Sequence, residues 1–209
     1  MSASANVDQA SSGPGEVDKS KRRFLIGATS AVGAVGTVAL LVPFVSSMAP
    51  SERAKAAGAP VEADISKLEF GQQLSVEYRG KPVWIVRRTE EMLKLLPEND
   101  SALKDPRSEV LAQQPGYAKN PHRSIKPEYL VVTGICTHLG CSPTYRPELA
   151  PADLGSEWRG GWYCPCHGSR FDMAGRVTSN SPAGTNLEVP KHSYLTDSLI
   201  LIGVDQETA

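Results

Sequence analysis

The chain has 209 residues and a formal net charge of -1, so its composition gives no reason to expect a nucleic-acid-binding face. Hydrophobic residues make up 40% of the chain and charged residues 22%, which is ordinary for a globular protein. All four cysteines lie between positions 136 and 166, which indicates a local site or a local staple rather than scattered structural thiols.

The N-terminal part divides into a polar tail and an apolar stretch. Residues 1–19 are rich in Ser, Ala, Gly and acidic residues and have almost no large apolar side chain, so we expect a disordered cytoplasmic tail. Residues 20–48 open with three basic side chains and then carry no formal charge. As a helix, the apolar run 24–48 would reach ~37 Å, enough to cross a hydrocarbon core of ~30 Å. We therefore predict a transmembrane anchor over 20–48 that contacts lipid through 24–48.

The charges that flank the apolar run predict its orientation. Lys21, Arg22 and Arg23 precede the run, which places the N-terminus in the cytoplasm and the C-terminal domain outside. Residues 20–25 resemble a twin-arginine export signal, with Lys21 at the first arginine position. A cleaved signal peptide is the alternative, because residues 54–56 have the small-x-small pattern of a cleavage site. That triplet lies well past the apolar run, so a retained single-pass anchor is favoured.

Residues 49–60 have no large apolar side chain, and we expect a flexible hinge or, as the alternative, a plain spacer. The folded domain then covers 61–209. Its short runs rich in β-branched and aromatic residues predict strands over 74–78, 82–86, 129–132 and 198–202. Residues 90–96 predict a short helix that ends before Pro97, and the polar, proline-rich stretch 97–127 predicts a long loop. The class is therefore all-β with a helical insertion.

Two stretches combine cysteine and histidine: residues 136–141 read Cys-Thr-His-Leu-Gly-Cys, and residues 164–167 read Cys-Pro-Cys-His. A four-ligand site could take one Cys and one His from each stretch, which would leave one Cys of each free to pair. A zinc site, a disulfide scaffold and a [2Fe–2S] cluster are the alternatives. The cluster is favoured, because zinc modules usually space their ligands differently and a disulfide scaffold gives the matched histidines no role.

These two stretches, the second extended to Cys-Pro-Cys-His-Gly-Ser, resemble the two boxes of the Rieske iron–sulfur proteins. The extra cysteine in each box narrows the resemblance to the Rieske subunit of bacterial cytochrome bc complexes, the ubiquinol–cytochrome c reductases. The resemblance implies an all-β Rieske-type domain of antiparallel sheets, with a smaller cluster-binding subdomain at about 130–185 and a helix and loop insertion, after one transmembrane helix. It implies one [2Fe–2S] cluster with four ligands and one disulfide; the ligands are Cys136, His138, Cys164 and His167, and the disulfide joins Cys141 and Cys166.

The resemblance also implies a function in electron transfer. The subunit would take an electron from ubiquinol at the quinol-oxidation site of cytochrome b and pass it to a membrane-bound cytochrome c, contributing to proton translocation. His138 and His167 would be the catalytic ligands that couple proton to electron transfer, and His167 is preferred as the one that hydrogen-bonds the quinol. Neutral imidazole ligands raise the cluster potential to between about -150 and +300 mV.

The resemblance further implies a place and an assembly for the chain. It would lie in the bacterial inner membrane with its Rieske domain in the periplasm, within a homodimeric complex. The domain would swing on the hinge between cytochrome b and cytochrome c.

Three further residues take roles from the same resemblance. Ser169 matches a serine whose hydroxyl donates to a bridging sulfide. Phe171 stands where many mitochondrial members have a tyrosine that donates to a ligand sulfur, which predicts a somewhat lower potential. Leu139 matches a leucine that is exposed at the cluster tip and packs against cytochrome b.

Residues 181–184 occupy the place of a proline-rich loop that covers the cluster, with Gly184 where a second proline is common. The two histidines outside the boxes, His122 and His192, are expected to be ordinary surface or turn residues. Trp158 and Trp162 are expected to pack inside the domain.

Other functions remain possible from the sequence alone. The Rieske small subunit of a periplasmic molybdenum oxidase, such as arsenite oxidase, also combines the boxes, a disulfide and a twin-arginine signal, but lacks a cytochrome b partner. An oxygenase component would need a mononuclear iron site, for which the chain has neither the length nor the spare histidines. A zinc-binding interaction domain would be colourless.

Overall fold

The computed structural model describes residues 18–205, apart from the side chains of residues 53, 56 and 57. The chain divides into two units at the boundary between Ser51 and Glu52, and each is described by itself. The tail predicted at 1–19 lies outside the described residues except for its last two, which begin the first helix.

Helix α1 runs over Lys19–Ser47 and makes up most of the first unit. The Asp18 side chain caps it by accepting hydrogen bonds from the Ser20 and Lys21 amides. The hydroxyls of Thr29 and Thr37 donate to carbonyls one turn earlier, so these polar groups are satisfied within the helix. The helix has 29 residues and contains an 18-residue stretch with a mean hydropathy of 2.0, so it is long and apolar enough to cross a membrane, as predicted.

The segment predicted as a hinge contains a short helix, α2, over Glu52–Ala57. Glu52 lies in its first turn, and Lys55 pairs with Glu52 at 2.8 Å. Alanine-rich sequence with this charge order favours helix. The segment 49–60 is therefore not extended throughout, and its reach is shorter than that of a fully extended chain.

Up to residue 205, where the described part ends, the second unit has nine strands in three antiparallel three-stranded sheets. The first sheet has the order β1-β9-β8, and the second has the order β2-β3-β4. The strands of these two sheets are β1 (Val61–Asp64), β2 (Gln73–Tyr78), β3 (Lys81–Arg87), β4 (Tyr129–Thr133), β8 (His192–Thr196) and β9 (Leu199–Ile202). All four strands predicted from the sequence are present within these bounds, give or take a residue.

Strand β3 separates two cores because its successive side chains point to opposite faces. Val83 and Ile85 pack in an apolar cluster with residues of β1 and β9. Trp84 and Val86 pack on the other face, in a cluster that also contains residues of the third sheet. Strands β3 and β4 are thus buried on both faces, which explains why they read as unbroken apolar runs.

The third sheet has the order β5-β6-β7 and is made of β5 (Thr144–Leu149), β6 (Arg159–Tyr163) and β7 (Arg170–Phe171). Trp162 of β6 stacks on Trp84 of β3 with ring centroids 5.8 Å apart and planes 5° apart. Trp158 and Trp162 are both buried, as expected. This stacking joins the third sheet to the central one.

The insertion between β3 and β4 is more ordered than its sequence predicts. It holds α3 (Glu90–Leu95), capped by Thr89, and 3₁₀ turns at Pro97–Ala102, Leu111–Gln113 and Gly116–Ala118.

Three buried arginines link the insertion to residues 172–176: Arg88, Arg123 and Arg176. Arg88 donates to Met173 O, Arg123 to Ala174 O, and Arg176 to Leu96 O. Burial lowers the pKa of Arg88 to about 9, and these carbonyl contacts offset part of its lost hydration.

The expectation for His192 is wrong, since it is a core residue of β8 with 1% of its surface exposed. Its Nδ1 lies 2.8 Å from Pro190 O, and its ring packs edge-on against Tyr117. Burial lowers the pKa of His192, so the neutral ring is favoured. It directly follows Lys191, and nothing in the sequence distinguished it from a surface histidine. His122 is half-buried.

Candidate metal centre

The loop that follows β4 is closed by two main-chain hydrogen bonds. The Cys136 amide donates to Cys141 O at 2.7 Å, and the Gly140 amide donates back to Cys136 O at 3.0 Å. Gly140 has φ +86°, a conformation that glycine adopts without strain. The loop thereby curls around the Cys136 peptide and holds residues 137–139 on its outer side.

The loop between β6 and β7 repeats the same pattern. The Cys164 amide donates to Ser169 O at 2.8 Å, and the Gly168 amide donates to Cys164 O at 2.9 Å. Gly168 has φ +79°. Each loop therefore presents a cysteine at its base and a histidine further along, two residues on in the first loop and three in the second.

The two loops bring together the four predicted ligands. Cys136 and Cys164 are free thiols, each only 2% exposed. The rings of His138 and His167 lie 4.8 Å apart between centroids and edge to face at 89°. His138 is half-buried and His167 is exposed. The thiols thus lie toward the core and the imidazoles toward the surface.

Cys141 and Cys166 form a disulfide that ties the two loops together, with their Cα atoms 6.7 Å apart. The predicted pairing is confirmed. The sulfur of Cys164 lies within 4.8 Å of both disulfide sulfurs. These three cysteines do not form a metal site by themselves, because the disulfide removes two of the three thiolates.

The electrostatics at Cys136 fit a metal–thiolate site. Burial raises the pKa of the Cys136 thiol, and the adjoining Cys164 thiol acts in the same direction. Hydrogen bonds from the His138 amide and the Ser169 hydroxyl oppose that rise by favouring the thiolate. Two facing thiols in a dry pocket, with donors directed at a sulfur, suit a bound soft cation that would stabilise both thiolates.

The segment 181–185 packs against both loops. The Ala183 amide donates to the Ser169 hydroxyl oxygen at 3.1 Å, and the Ser181 hydroxyl accepts from the Arg170 amide at 2.8 Å. The Thr137 hydroxyl donates to Thr185 O at 2.6 Å. We call residues 181–185 the covering segment. Ser169 is fully buried beneath it.

The outer tip of the two loops is uncharged. Leu139 is 72% exposed, which confirms the expected exposure, and Gly140, Pro165 and Pro182 are exposed around the same loops. The tip is therefore an apolar surface beside the two imidazoles.

Phe171 is fully buried in the apolar cluster that contains Cys136 and Cys164.

The insertion contributes to the surroundings of the site, which sequence reasoning missed. Lys104 Nζ donates to Ser181 O and to Ala183 O, at 2.7 Å each. Residue 104 lies in the polar stretch predicted as a loop, and no periodicity or motif there pointed to the covering segment.

Two family comparisons divide the chain where the structure does. The family described as "Ubiquitinol-cytochrome C reductase Fe-S subunit TAT signal" matches residues 12–51. The family described as "Rieske [2Fe-2S] domain" matches residues 60–192. The second match covers more than half of the chain and contains both loops and the covering segment.

Curated relatives match along most of the chain. The ubiquinol-cytochrome c reductase iron-sulfur subunit of Allochromatium vinosum is 67% identical over 193 residues, which cover 92% of this chain and 93% of that protein. The subunit of the same name from Blastochloris viridis is 41% identical over 89% of this chain and 94% of that protein. A chain of a solved "Hyperthermophilic respiratory Complex III" is 25% identical with a TM-score of 0.45, over 85% of this chain and 98% of that one.

Proposed function

The chain belongs to the Rieske [2Fe–2S] family, and we propose that it is the electron-transfer subunit of a membrane ubiquinol–cytochrome c reductase. The observation that carries the proposal is the pairing of two buried thiols with two outward imidazoles across loops joined by a disulfide. The similarity to the reductase subunits of Allochromatium vinosum and Blastochloris viridis, over 92% and 89% of this chain, supports it.

Four residues are proposed to hold the cluster. Cys136 and Cys164 would ligate the inner iron as thiolates, and His138 and His167 would ligate the outer iron as neutral imidazoles. When bound, the cluster supplies one-electron transfer at a potential raised by those neutral ligands. The Ser169 hydroxyl, which favours the thiolate form of Cys136, would stabilise the added negative charge of the reduced form.

The surface imidazole is proposed to meet the substrate. His167 is exposed, whereas His138 is half-buried, so a quinol hydroxyl would reach His167 more readily. Its free ring nitrogen would accept the hydroxyl hydrogen bond and take up the proton that the quinol loses on oxidation. Leu139 and the uncharged tip around it would dock on cytochrome b, because an apolar contact excludes water from that hydrogen bond.

The remaining chain is proposed to hold the domain near its partners. Helix α1 would cross the inner membrane once, with Lys21, Arg22 and Arg23 on the cytoplasmic side. Residues 49–60 would allow the periplasmic domain to move between cytochrome b and a membrane-bound cytochrome c. The complex would be a homodimer, and ubiquinol would be the electron donor.

A redox titration of the membranes, followed by electron paramagnetic resonance, tests the proposal. Reduced membranes should give a rhombic signal of low average g-value at a clearly positive potential, and cytochrome b should copurify with the chain. His167→Gln should abolish the signal, whereas the same substitution at His122, outside the loops, should keep it. Stoichiometric zinc without the signal would overturn the cluster assignment. A normal signal without cytochrome b would instead favour the small subunit of a molybdenum oxidase.

A further inference from the structure

Lys104 makes an unusual contact for an exposed lysine. Its ammonium donates to the main-chain carbonyls of Ser181 and Ala183, at 2.7 Å each. These two carbonyls flank Pro182, an exposed residue of the covering segment. Among residues 18–205, no carboxylate lies within ion-pair distance of Lys104. The ammonium group is therefore held by main-chain oxygens alone, and it hydrogen-bonds the covering segment on both sides of Pro182.

Main-chain pairing around Lys104 directs its side chain toward the covering segment. The Lys104 amide donates to Val177 O at 3.0 Å, and the Ser179 amide donates to Ala102 O at 2.8 Å. Leu103, between them, bridges to Thr178 and is buried. Residues 102–104 thus pair with residues 177–179 as a short irregular ladder. The ladder presents the Lys104 side chain to the segment that follows residue 179.

A continuous set of hydrogen bonds runs from the covering segment to the candidate metal centre. Ala183 makes both contacts through its main chain. Its carbonyl accepts from Lys104, and its amide donates to the Ser169 hydroxyl oxygen at 3.1 Å. Ala183 and Ser169 are both fully buried, so water does not replace the hydrogen bond between them. Ser169 itself closes the second loop, since its carbonyl accepts from the Cys164 amide at 2.8 Å, and its hydroxyl is the proposed donor to the cluster sulfurs.

We propose that Lys104 is a positioning residue for the cluster: by holding the Ser181 and Ala183 carbonyls, it keeps the Ala183 amide on the Ser169 hydroxyl and so strengthens the hydrogen bond that Ser169 gives to the cluster sulfurs. The inference rests on the proposed function, because the effect is exerted on a bound cluster. It makes the insertion between β3 and β4 part of the machinery that sets the midpoint potential.

The physical reason is cooperative polarisation. A hydroxyl that accepts a hydrogen bond from an amide becomes a better donor through its own proton. A donor directed at a cluster sulfur stabilises the reduced form, which carries the extra negative charge, and so raises the potential. Loss of the lysine frees the covering segment, loosens the Ala183 amide, and leaves Ser169 with its hydroxyl proton free to point elsewhere.

A double-substitution experiment on the membrane complex separates this route from a simple loss of positive charge. Lys104→Met and Lys104→Arg are made in the unaltered chain and in Ser169→Ala. Lys94→Met is the matched control, because Lys94 lies in an exposed pair with Glu90 at 3.4 Å. The midpoint potential of each variant is read by a titration followed by electron paramagnetic resonance. Hydrogen exchange at the Ala183 amide is read by mass spectrometry.

Lys104→Met should lower the midpoint potential, Lys104→Arg should restore most of it, and Lys94→Met should leave it unchanged. In the Ser169→Ala background, the effect of Lys104→Met should shrink to less than about half, since the two residues act through one chain of contacts. Exchange at Ala183 should accelerate about tenfold in Lys104→Met, as expected for loss of bonds from a charged donor.

An equal fall in potential with and without Ser169 would assign the effect to charge alone and overturn the proposal. An unchanged rate of hydrogen exchange at the Ala183 amide in Lys104→Met would also overturn the proposal. This measurement can be made even if the variant has lost its cluster. Absence of the signal in the unaltered chain would instead count against the proposed function, so the two failures are distinguishable.

Discussion

Replacing Arg176 with methionine should destabilise the domain by about 3 kcal/mol. Its guanidinium and the Asp172 carboxylate are 2% and 4% exposed, and their closest atoms are 2.8 Å apart. Removing one member of a buried ion pair costs about 3–5 kcal/mol, because the other charge is left without its partner. The lower end applies, since Asp172 Oδ1 still accepts from the amides of Ala174 and residue 176.

The assay is thermal unfolding of the full-length protein in detergent, followed by near-ultraviolet circular dichroism. A loss of about 3 kcal/mol should lower Tm by roughly 6–12 °C for a chain of this size. Adding Asp172→Asn should recover part of the loss, because the amide oxygen keeps the two main-chain donors without a buried charge. Lys94→Met, which breaks an exposed pair worth about 0.5 kcal/mol or less, is the control. If Arg176→Met unfolds within a degree or two of Lys94→Met, the reasoning from burial is wrong.

Three further outcomes are expected. Phe171→Tyr should raise the midpoint potential in a redox titration by adding a donor near a ligand sulfur; no rise would mean that the side chain does not face the cluster. His192 has a lowered pKa because it is buried, so below about pH 6.5 the unfolded chain binds a proton that the folded chain does not. The free energy of unfolding, measured from pH 7.5 down to pH 5, should therefore fall more steeply as the pH is lowered than it does in His192→Phe. Equal dependence on pH in the two proteins would contradict this. A Cβ on Gly161 would overlap Phe171 O at φ +142°, whereas one on Gly184 meets no atom within 4 Å. Gly161→Ala should thus lower Tm and release the cluster, while Gly184→Ala should be neutral or stabilise by about 0.4–1 kcal/mol, and equal effects would refute the distinction.

The strands of the central sheet were predictable because burial on both faces leaves an unbroken apolar signature. Residues 82–86 and 129–132 show it, and the structure places strands there. The third sheet has no such signature. Gly160 and Gly161 interrupt β6, Pro147 interrupts β5, and β7 has only two residues. Its order depends on packing against Trp84 and on the loops it carries, which local propensity does not encode.

The candidate site was predictable where the residue types are rare and their spacing is fixed. The thiols, imidazoles and disulfide lie in the arrangement that the two boxes imply. The contacts that surround them were not predictable. Lys104 reaches the covering segment from a polar stretch, and its partners are main-chain carbonyls, which any sequence supplies. His192 was misjudged for the same reason, since burial of a single histidine leaves no trace in its neighbours.

The stacked indoles of Trp84 and Trp162 make the junction between two sheets optically visible. Two rings with centroids 5.8 Å apart couple their excited states, and a paired circular dichroism band that neither ring gives alone results where their in-plane transition dipoles are not parallel. The third tryptophan, Trp158, is also buried, so all three of the chain's indoles emit from a dry environment. Parting of the two sheets would cancel the paired band and shift the emission to longer wavelength. The three tryptophans thus report, without any added label, whether the third sheet is packed against the central sheet.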